Sequence, residues 1–243
     1  MSETVEKTRS GAILYDTAIL NQIAESRFSR AGWKRAHPVV GTLRSAGRGN
    51  TLIVSDDGNE YVLRHYHRGG LIGRLVRDVY VWGGEENTRS FAEWRLLYKL
   101  VEMGLPVPRP VAARYRRAGT FYSADLLTVR VPGIEPLSQR IAARPSDSQF
   151  WFELGAGLYR FHKAGVCHAD LNAYNVQIGP RDELWLLDFD RGSLRAPGTW
   201  QQKNLARLHR SLRKVRELDP HVSWTERDWK RLLDGYFQAS RSA

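Results

Sequence analysis

Two short polar clusters, each bounded by apolar residues, dominate the second half of the chain. The first is the segment HADLNAYN, in which Asn175 follows Asp170 by five positions. The second begins at Asp188, directly after the apolar run Leu184–Leu187, which is typical of a short buried strand. A loop and a neighbouring strand end can bring these three side chains to one small volume. Because carboxylate and amide oxygens suit Mg²⁺, the pattern predicts a magnesium site here.

The spacing of the residues in these two clusters indicates a more specific kind of reaction. His168, Asp170 two positions later, Asn175 and then Asp-Phe thirteen residues on match the catalytic loop and metal-binding segment of kinase-like phosphotransferases. A zinc site formed by His162, His168 and Asp170 is a weaker alternative, because no fourth ligand lies nearby in the sequence. Cys167 is better explained as a core-filling thiol than as a nucleophile, since adjacent side chains such as His168 rarely face each other.

Length and charge set the broad class of the protein. The chain has 243 residues, a formal net charge of +11 and one cysteine. A single cysteine excludes an internal disulfide and fits a reducing compartment. We find no run of roughly 18 apolar residues that could span a bilayer, and the polar N-terminal segment is unlike a signal peptide. The charge suggests a polyanionic partner, namely nucleic acid, an anionic membrane or a phosphorylated substrate. A solvated basic surface with no such partner is the alternative.

The first part of the chain predicts one helix and then strands. Asp16 can cap a helix over Asp16–Phe28. Two β-like runs, one ending at Val40 and one starting at Leu52, flank a turn that contains Gly47 and Gly49. Backbone N–H groups of such a turn can cover phosphates. Glycines at these positions are equally expected in an ordinary hairpin turn.

A second helix, predicted over Ser90–Val101, carries a glutamate on an apolar face. The residues three, four and seven positions after Glu93 are all leucines. A strand is predicted over Tyr61–Tyr66, after a tight turn at Asp56-Asp57-Gly58-Asn59. A carboxylate buried among leucines requires a cation, and Arg64 on this preceding strand is the predicted partner. The alternative is an exposed Glu93 that pairs with Arg89.

The next segment predicts a strand pair, a hinge and a helix. The strands cover 111–116 and 121–131 around a turn at Ala118-Gly119, and the helix covers 150–164. Between the strand pair and this helix lies Pro132-Gly133, which breaks the pattern and is the predicted hinge between two lobes.

Together these residues resemble a known family. A glycine-rich hairpin, a basic residue on the next strand, a helix with a glutamate, a hinge and the two polar clusters occur in kinase order. The phrases VLRHYHRGG, GLPVPRPVAARY, GVCHADLNAYN and LLDFDRG look more specifically like the 3-deoxy-D-manno-octulosonic acid (Kdo) kinases, bacterial lipopolysaccharide-core kinases related to protein kinases. The resemblance covers roughly Arg48–Arg195. It implies an α+β, two-lobed protein-kinase-like fold, with an N-terminal antiparallel-sheet lobe over 1–132 and a mostly helical, truncated catalytic lobe over 133–243.

The resemblance also implies an activity. Enzymes of this family transfer the γ-phosphate of ATP, with Mg²⁺, to a hydroxyl of the Kdo sugar on lipid A, at the cytoplasmic face of the bacterial inner membrane. By this resemblance Asp170 orients the acceptor hydroxyl and accepts its proton, Asn175 and Asp188 hold Mg²⁺, and His168 braces the loop. The nucleotide-binding residues that it implies are Gly47, Gly49, Arg64 and Glu93.

Two positions depart from the common kinase pattern. Arg64 stands where ordinary kinases have lysine, and an arginine is bulkier and forms forked pairs. Asp190 stands in place of the glycine of Asp-Phe-Gly, either as a further metal-binding or loop-bracing carboxylate or as a partner of Arg191. Only 53 residues follow Asp190, so we expect a membrane-borne substrate rather than a protein.

A basic amphipathic helix is predicted over Lys203–Leu218. Its leucines share one face, while Arg207, Arg210 and Arg213 are among the basic residues that fill the others. Such a helix can pack its apolar face inward and place its arginines on anionic lipid, although simple solvation of the arginines is the alternative. Arg68–Arg77 is a second candidate for contact with an anionic saccharide.

Three functions are therefore compared. The first is an ATP-dependent kinase of Kdo-lipid A that works at the inner-membrane surface. The second is a soluble phosphotransferase of aminoglycoside-kinase type, which the basic charge disfavours because cationic substrates require acidic surfaces. The third is a non-catalytic nucleotide-binding or nucleic-acid-binding module. The intact base and metal positions disfavour it, and no recognised nucleic-acid motif is present.

Overall fold

The computed structural model describes residues 2–39, 51–66 and 79–242, and the chain forms two compact units. The first unit combines Met1–Tyr98 with Pro108–Arg130, and the second combines Lys99–Val107 with Val131–Ala243. Two sets of predicted residues lie outside the described ranges: the glycines Gly47 and Gly49, and the basic segment 68–77.

The first unit is an antiparallel sheet with one long helix. Its strands are β1 (Glu3–Lys7), β2 (Gly11–Asp16), β3 (Arg35–Pro38), β4 (Thr51–Asp56), β5 (Asn59–His65), β6 (Tyr80–Val81), β7 (Pro110–Ala118) and β8 (Phe121–Val129). Within the described residues their order is β1-β2-β7-β8-β5-β4-β3, with β6 also paired to β8. One core of this unit includes Ile13, Phe28, Val54, Leu63, Val111 and Leu127.

The helix predicted over Ser90–Val101, the turn predicted before Tyr61 and the strand pair predicted around Ala118-Gly119 are confirmed. Helix α1 spans Arg89–Glu102 and buries Phe91, Trp94 and Leu100. The β4–β5 hairpin turns at Asp57-Gly58, where both residues have positive φ (47° and 85°), as a two-residue type I′ turn requires. The β7–β8 pair turns two residues after Arg117, at Gly119, with a φ of 61°.

The helix predicted over Asp16–Phe28 is wrong. Asp16 instead ends strand β2, and its buried carboxylate accepts hydrogen bonds from the backbone N–H groups of Ala18 (3.0 Å) and Ser2 (3.2 Å) and from Arg109 (2.9 Å). Burial opposes ionisation of Asp16, but the Arg109 hydrogen bond and the two backbone donors outweigh it and lower the pKa. The capping aspartate therefore closes a turn, and only a short 3₁₀ segment, Glu25–Phe28, follows.

The second unit is mostly helical. Its helices are α2 (Leu137–Ala143), α3 (Ser148–Lys163), α4 (Trp200–Leu218) and α5 (Glu226–Arg241). Short strands accompany them: β9 (Glu135–Pro136), β11 (Val176–Ile178) and β12 (Leu184–Leu186) form one sheet, and β10 (Val166–Cys167) pairs with β13 (Ser193–Leu194). None of the helices in the described residues is both long and apolar enough to cross a membrane. The α+β class, with an antiparallel-sheet unit and a mostly helical unit, is confirmed.

Helices α3 and α5 approach closely because each has a glycine at the contact. A Cβ on Gly155 would lie 1.8 Å from the carbonyl oxygen of Leu232, and one on Gly235 would lie 1.9 Å from that of Phe152. Any other residue at either position would force the two helices apart. This close contact therefore depends on both glycines.

The buried imidazole of His162 on α3 forms a hydrogen bond between its Nδ1 and the hydroxyl of Tyr236 on α5 (2.8 Å). Burial lowers the pKa of His162 to about 4, although a hydrogen bond with Asn204 partly opposes the shift. The unfolded chain takes up this proton near the ordinary value of 6.5, whereas the folded chain does so only near 4. The contribution of a neutral His162 to stability is therefore complete above about pH 6.5 and is lost as the pH falls toward 4.

We expect the free energy of unfolding to fall between pH 7 and pH 4, with His162 contributing up to about 3 kcal/mol of the decrease. Urea unfolding at several pH values should show a shallower decrease for His162→Gln than for the wild type. A residual slope should remain, because burial also lowers the pKa of His168. Replacing the exposed His221 with glutamine is the control. Equal slopes for wild type and His162→Gln would contradict this account.

Candidate active site

Hydrogen bonds to backbone carbonyls hold together the segments that carry the three predicted site residues, Asp170, Asn175 and Asp188. The Asn175 side-chain Nδ2 donates to the carbonyl of Asp170 (2.9 Å), which fixes the loop between them. The backbone N–H of Leu187 donates to the carbonyl of Asn175 (3.0 Å), which places the end of β12 beside the loop. Asn172 tightens the turn further, because its Oδ1 accepts from the backbone N–H groups of Tyr174 (2.8 Å) and Asn175 (3.0 Å).

His168 ties the two polar clusters to each other. Its Nδ1 accepts a hydrogen bond from the backbone N–H of Asp170 (3.1 Å), and its Nε2–H donates to the carbonyl of Leu187 (2.9 Å). This pair of bonds requires the neutral imidazole with its proton on Nε2. Burial lowers the pKa of His168 and so favours the same form. The ring also packs on Phe189, at 4.9 Å between ring centroids. His168 therefore has the bracing contacts that were predicted for it.

The backbone at Asp188 adopts a left-handed conformation. Its φ is 63°, a region that residues other than glycine rarely occupy, although asparagine and aspartate tolerate it best. The conformation turns the chain sharply at the end of the buried strand β12. Such outliers are often found at functional sites, and this one lies at the residue predicted to bind the metal.

Helix α4 also holds the loop over 168–175, a contact that was not predicted from the sequence. The buried Asn204 accepts from the backbone N–H of His168 (3.2 Å) and donates to its carbonyl (3.0 Å). About two helical turns later, the Ser211 hydroxyl accepts from the backbone N–H of Ala173 (3.1 Å). The sequence feature that could have revealed these contacts is Asn204, a polar residue in the apolar stripe of α4, directly before the buried Leu205.

The same helix face places an arginine on the predicted catalytic aspartate. The Nε and Nη2 atoms of Arg207 lie 2.8 Å and 2.5 Å from Oδ1 of Asp170. Arg207 was predicted to face lipid together with Arg210 and Arg213. The structure gives it a different contact, because it bonds to Asp170, whereas Arg210 and Arg213 are exposed.

The zinc alternative does not fit the histidine contacts. Both ring nitrogens of His168 bond to backbone groups of its own loop, and Nδ1 of His162 bonds to Tyr236. Among the described residues, no group of three or more His, Cys, Asp and Glu side chains is arranged to hold a metal ion. The remaining donors at the loop are a carboxylate and an amide, which suit Mg²⁺ better than Zn²⁺. Cys167 is buried and free, as expected of a core thiol.

In the first unit, the predicted pairing of Glu93 with Arg64 is confirmed. Glu93 is buried on α1, and its Oε2 accepts hydrogen bonds from Arg64 Nη2 and from the Tyr66 hydroxyl (2.6 Å). The Arg64 guanidinium also lies over the Tyr66 ring, 4.5 Å from its centroid. Tyr66 was not predicted as a partner. These contacts fix the direction of the arginine side chain as it leaves β5.

Comparisons with known proteins add the family context. Residues 31–236 match the family described as lipopolysaccharide kinase (Kdo/WaaP). A 3-deoxy-D-manno-octulosonic acid kinase of Xylella fastidiosa (strain M12) is 43% identical over 233 residues, which cover 95% of this chain and 91% of that protein. A protein of the same description from Stenotrophomonas maltophilia (strain K279a) is 43% identical, over 94% of this chain and 90% of its own. The solved structure of the bifunctional kinase-methyltransferase WbdD aligns with a TM-score of 0.48 and 19% identity over 86% of this chain, which spans 47% of that one.

Proposed function

Because the chain belongs to the lipopolysaccharide kinase (Kdo/WaaP) family, we propose that it transfers the γ-phosphate of ATP to a hydroxyl of the Kdo sugar attached to lipid A. Its relatives at 43% identity are described as 3-deoxy-D-manno-octulosonic acid kinases, and the match covers nearly the whole of both chains. The single observation that carries the proposal is the hydrogen-bonded arrangement of Asp170, Asn175 and Asp188 around His168.

Asp170 is the proposed base and positioning group. Its side chain is 40% exposed, while its backbone N–H and carbonyl are held by His168 and Asn175. The backbone of Asp170 is therefore held in place, while its carboxylate is accessible to an acceptor hydroxyl. Phosphoryl transfer passes through a loose transition state, so the main task of Asp170 is to orient the hydroxyl and take its proton as the P–O bond forms.

Asn175 and Asp188 are the residues that would hold Mg²⁺. Because the Asn175 Nδ2 donates to the Asp170 carbonyl, its Oδ1 is the amide atom left for a metal. The Asp188 side chain supplies a carboxylate at the neighbouring strand end. One carboxylate, one amide oxygen and the oxygens of a nucleotide form a typical magnesium ligand set. When bound, the ion would neutralise charge on the phosphate oxygens.

Arg64 would bind the phosphates of ATP. Glu93 and Tyr66 hold its guanidinium in place, so little side-chain entropy remains to be lost when a phosphate binds. An arginine suits this role because its planar fork can contact the glutamate and a phosphate oxygen with different N–H groups.

We also propose that the enzyme works as a peripheral protein at the cytoplasmic face of the inner membrane, with α4 toward the lipid. Its buried leucines fix the helix, while Arg210, Arg213 and Lys214 remain exposed. No acidic residue occurs in α4 before Glu217. Each basic residue close to an anionic surface contributes about 1 kcal/mol of binding.

The double variant Arg210→Glu/Arg213→Glu is expected to bind anionic liposomes at least tenfold more weakly, because two attractive charges become repulsive. Co-sedimentation with phosphatidylglycerol vesicles measures the change, and the free energy of unfolding should stay within about 0.5 kcal/mol of the wild type. The charge-matched control is Arg227→Glu/Lys230→Glu on α5, where both residues are also exposed. Equal losses for the two double variants, or unchanged binding for the first, would contradict this orientation.

A panel of acceptors tests the proposed activity. The purified protein is incubated with ATP labelled at the γ-phosphate, Mg²⁺ and one of three acceptors: lipid A carrying Kdo, lipid A without Kdo, or an aminoglycoside. We expect label only on the Kdo-bearing lipid. Label on the aminoglycoside alone would replace the proposal with the small-molecule phosphotransferase, and label on lipid A without Kdo would show that the sugar is not the acceptor.

A further inference from the structure

Arg207 is the only residue of α4 whose described contacts reach the Asp170 carboxylate. Its Nε and Nη2 both approach the same oxygen, Oδ1, at 2.8 Å and 2.5 Å. This contact leaves Oδ2 of Asp170 to approach a hydroxyl, and it leaves the other guanidinium N–H groups of Arg207 for a further acceptor. The two side chains are 47% and 40% exposed, so a ligand can reach both.

The Arg207–Asp170 pair is not needed to hold the loop in place. Asn204 and Ser211 already bind its backbone, and His168 fixes Asp170 from within the second unit. An exposed ion pair of this kind contributes only about 0–1 kcal/mol to stability. A contact that adds little to the fold but covers the proposed base points to a role in the reaction.

The surroundings of Arg207 attract anions. Lys203, Arg210 and Lys214 lie four residues before it and three and seven residues after it, so helical geometry puts all four on one exposed stripe. Trp200–Arg216 contains no acidic residue. Among the described residues, the ion pair of this stripe is the one with Asp170, and the local field favours an acceptor that brings a negative charge close to this aspartate.

We propose that Arg207 binds the carboxylate of the acceptor sugar and so aligns the sugar's hydroxyl with Asp170. This inference rests on the proposed function, because the Kdo acceptor is a sugar acid. One edge of the guanidinium stays on Oδ1 of Asp170, and the opposite edge takes the acceptor carboxylate in a forked pair. A neutral sugar would lack this second contact. Arg207 is thus a specificity-determining residue, which selects an acidic sugar over a neutral one.

A cycle of two enzymes and two acceptors tests this proposal. The acceptors are detergent-solubilised lipid A with Kdo and the same lipid with the Kdo carboxylate as a methyl ester. The enzymes are the wild type and Arg207→Gln. We expect the ester to lower kcat/KM of the wild type by roughly ten- to hundredfold, as does removal of a charged hydrogen-bond partner. Arg207→Gln should show a similar loss on the acid but little difference between the acid and the ester.

Two further readouts separate this role from others. The KM for ATP and the midpoint of thermal unfolding should stay unchanged in Arg207→Gln, and Arg207→Lys should recover part of the preference for the acid. The matched control is Arg227→Gln, an exposed arginine on α5. Equal losses of Arg207→Gln on acid and ester, with an active wild type, would overturn the inference alone and assign Arg207 to the ATP phosphates or to Asp170. A wild type inactive on both acceptors would overturn the proposed function and the inference with it.

Discussion

Replacing Asp188 with asparagine is expected to lower kcat for phosphoryl transfer by about a thousandfold or more. The amide keeps the shape of the side chain but removes the charge that would hold Mg²⁺ against the phosphates. Such a metal lowers the activation barrier by several kcal/mol. Asparagine also tolerates the φ of 63° at this position, so the turn after β12 should remain intact. The loss should therefore appear in activity and not in stability.

Steady-state kinetics over a range of Mg²⁺ concentrations, together with thermal unfolding, measure this effect. The matched control is Asp57→Asn, because Asp57 also has a positive φ (47°) but lies in the exposed β4–β5 turn of the first unit. It should retain wild-type kinetics. An Asp188→Asn variant that keeps a tenth or more of the wild-type kcat at saturating Mg²⁺ would show that this carboxylate is not the metal ligand.

Replacing Asp125 with alanine is expected to destabilise the protein by about 3–5 kcal/mol, the range for removing one partner of a buried ion pair. The buried Asp125 on β8 accepts two hydrogen bonds from Arg114 on β7, at 2.9 Å and 2.8 Å, and contacts Nδ1 of His65 at 2.6 Å. Arg114 in turn donates to the carbonyl of Glu25 (3.1 Å) and lies over the ring of Phe28. Without Asp125, the buried Arg114 guanidinium would lose its buried counter-charge and be left with the half-exposed Glu25 carboxylate at 3.9 Å.

Denaturant unfolding of Asp125→Ala beside Glu60→Ala measures this difference. Glu60 also pairs with an arginine across strands, at 2.7 Å from Arg130, but both side chains are more than a third exposed. Removal of that surface pair should cost about 1 kcal/mol or less. Similar losses of stability in the two variants would show that burial does not make the Arg114–Asp125 pair important.

Several parts of this structure follow from local sequence. The hairpin at Asp57-Gly58, helix α1 and helix α3 were predicted because turn chemistry and apolar periodicity act over a few residues. The buried Glu93 could also be assigned a partner, because a carboxylate among leucines requires a nearby cation. Arg64 was the basic residue on the preceding strand, and the structure pairs the two.

The rest required contacts between distant residues. The predicted helix after Asp16 fails because its capping carboxylate pairs with Arg109, which lies 93 positions later in the chain. The role of α4 was missed for the same reason. Asn204 contacts His168 across 36 residues and Arg207 contacts Asp170 across 37, so no local pattern shows that this basic helix packs on the proposed catalytic loop. The sequence feature that indicated this contact was Asn204, a polar residue within the apolar stripe of α4.

The most direct test of the central claim is γ-phosphate transfer from ATP to Kdo-bearing lipid A by the wild type and by Asp170→Asn under identical conditions. We expect the wild type to label the Kdo sugar. The variant should be slower by about a hundredfold to ten-thousandfold, as is typical when a positioned base is removed, with an unchanged midpoint of thermal unfolding. Equal rates of labelling by the two proteins, or no transfer to Kdo by a folded wild type, would contradict the account.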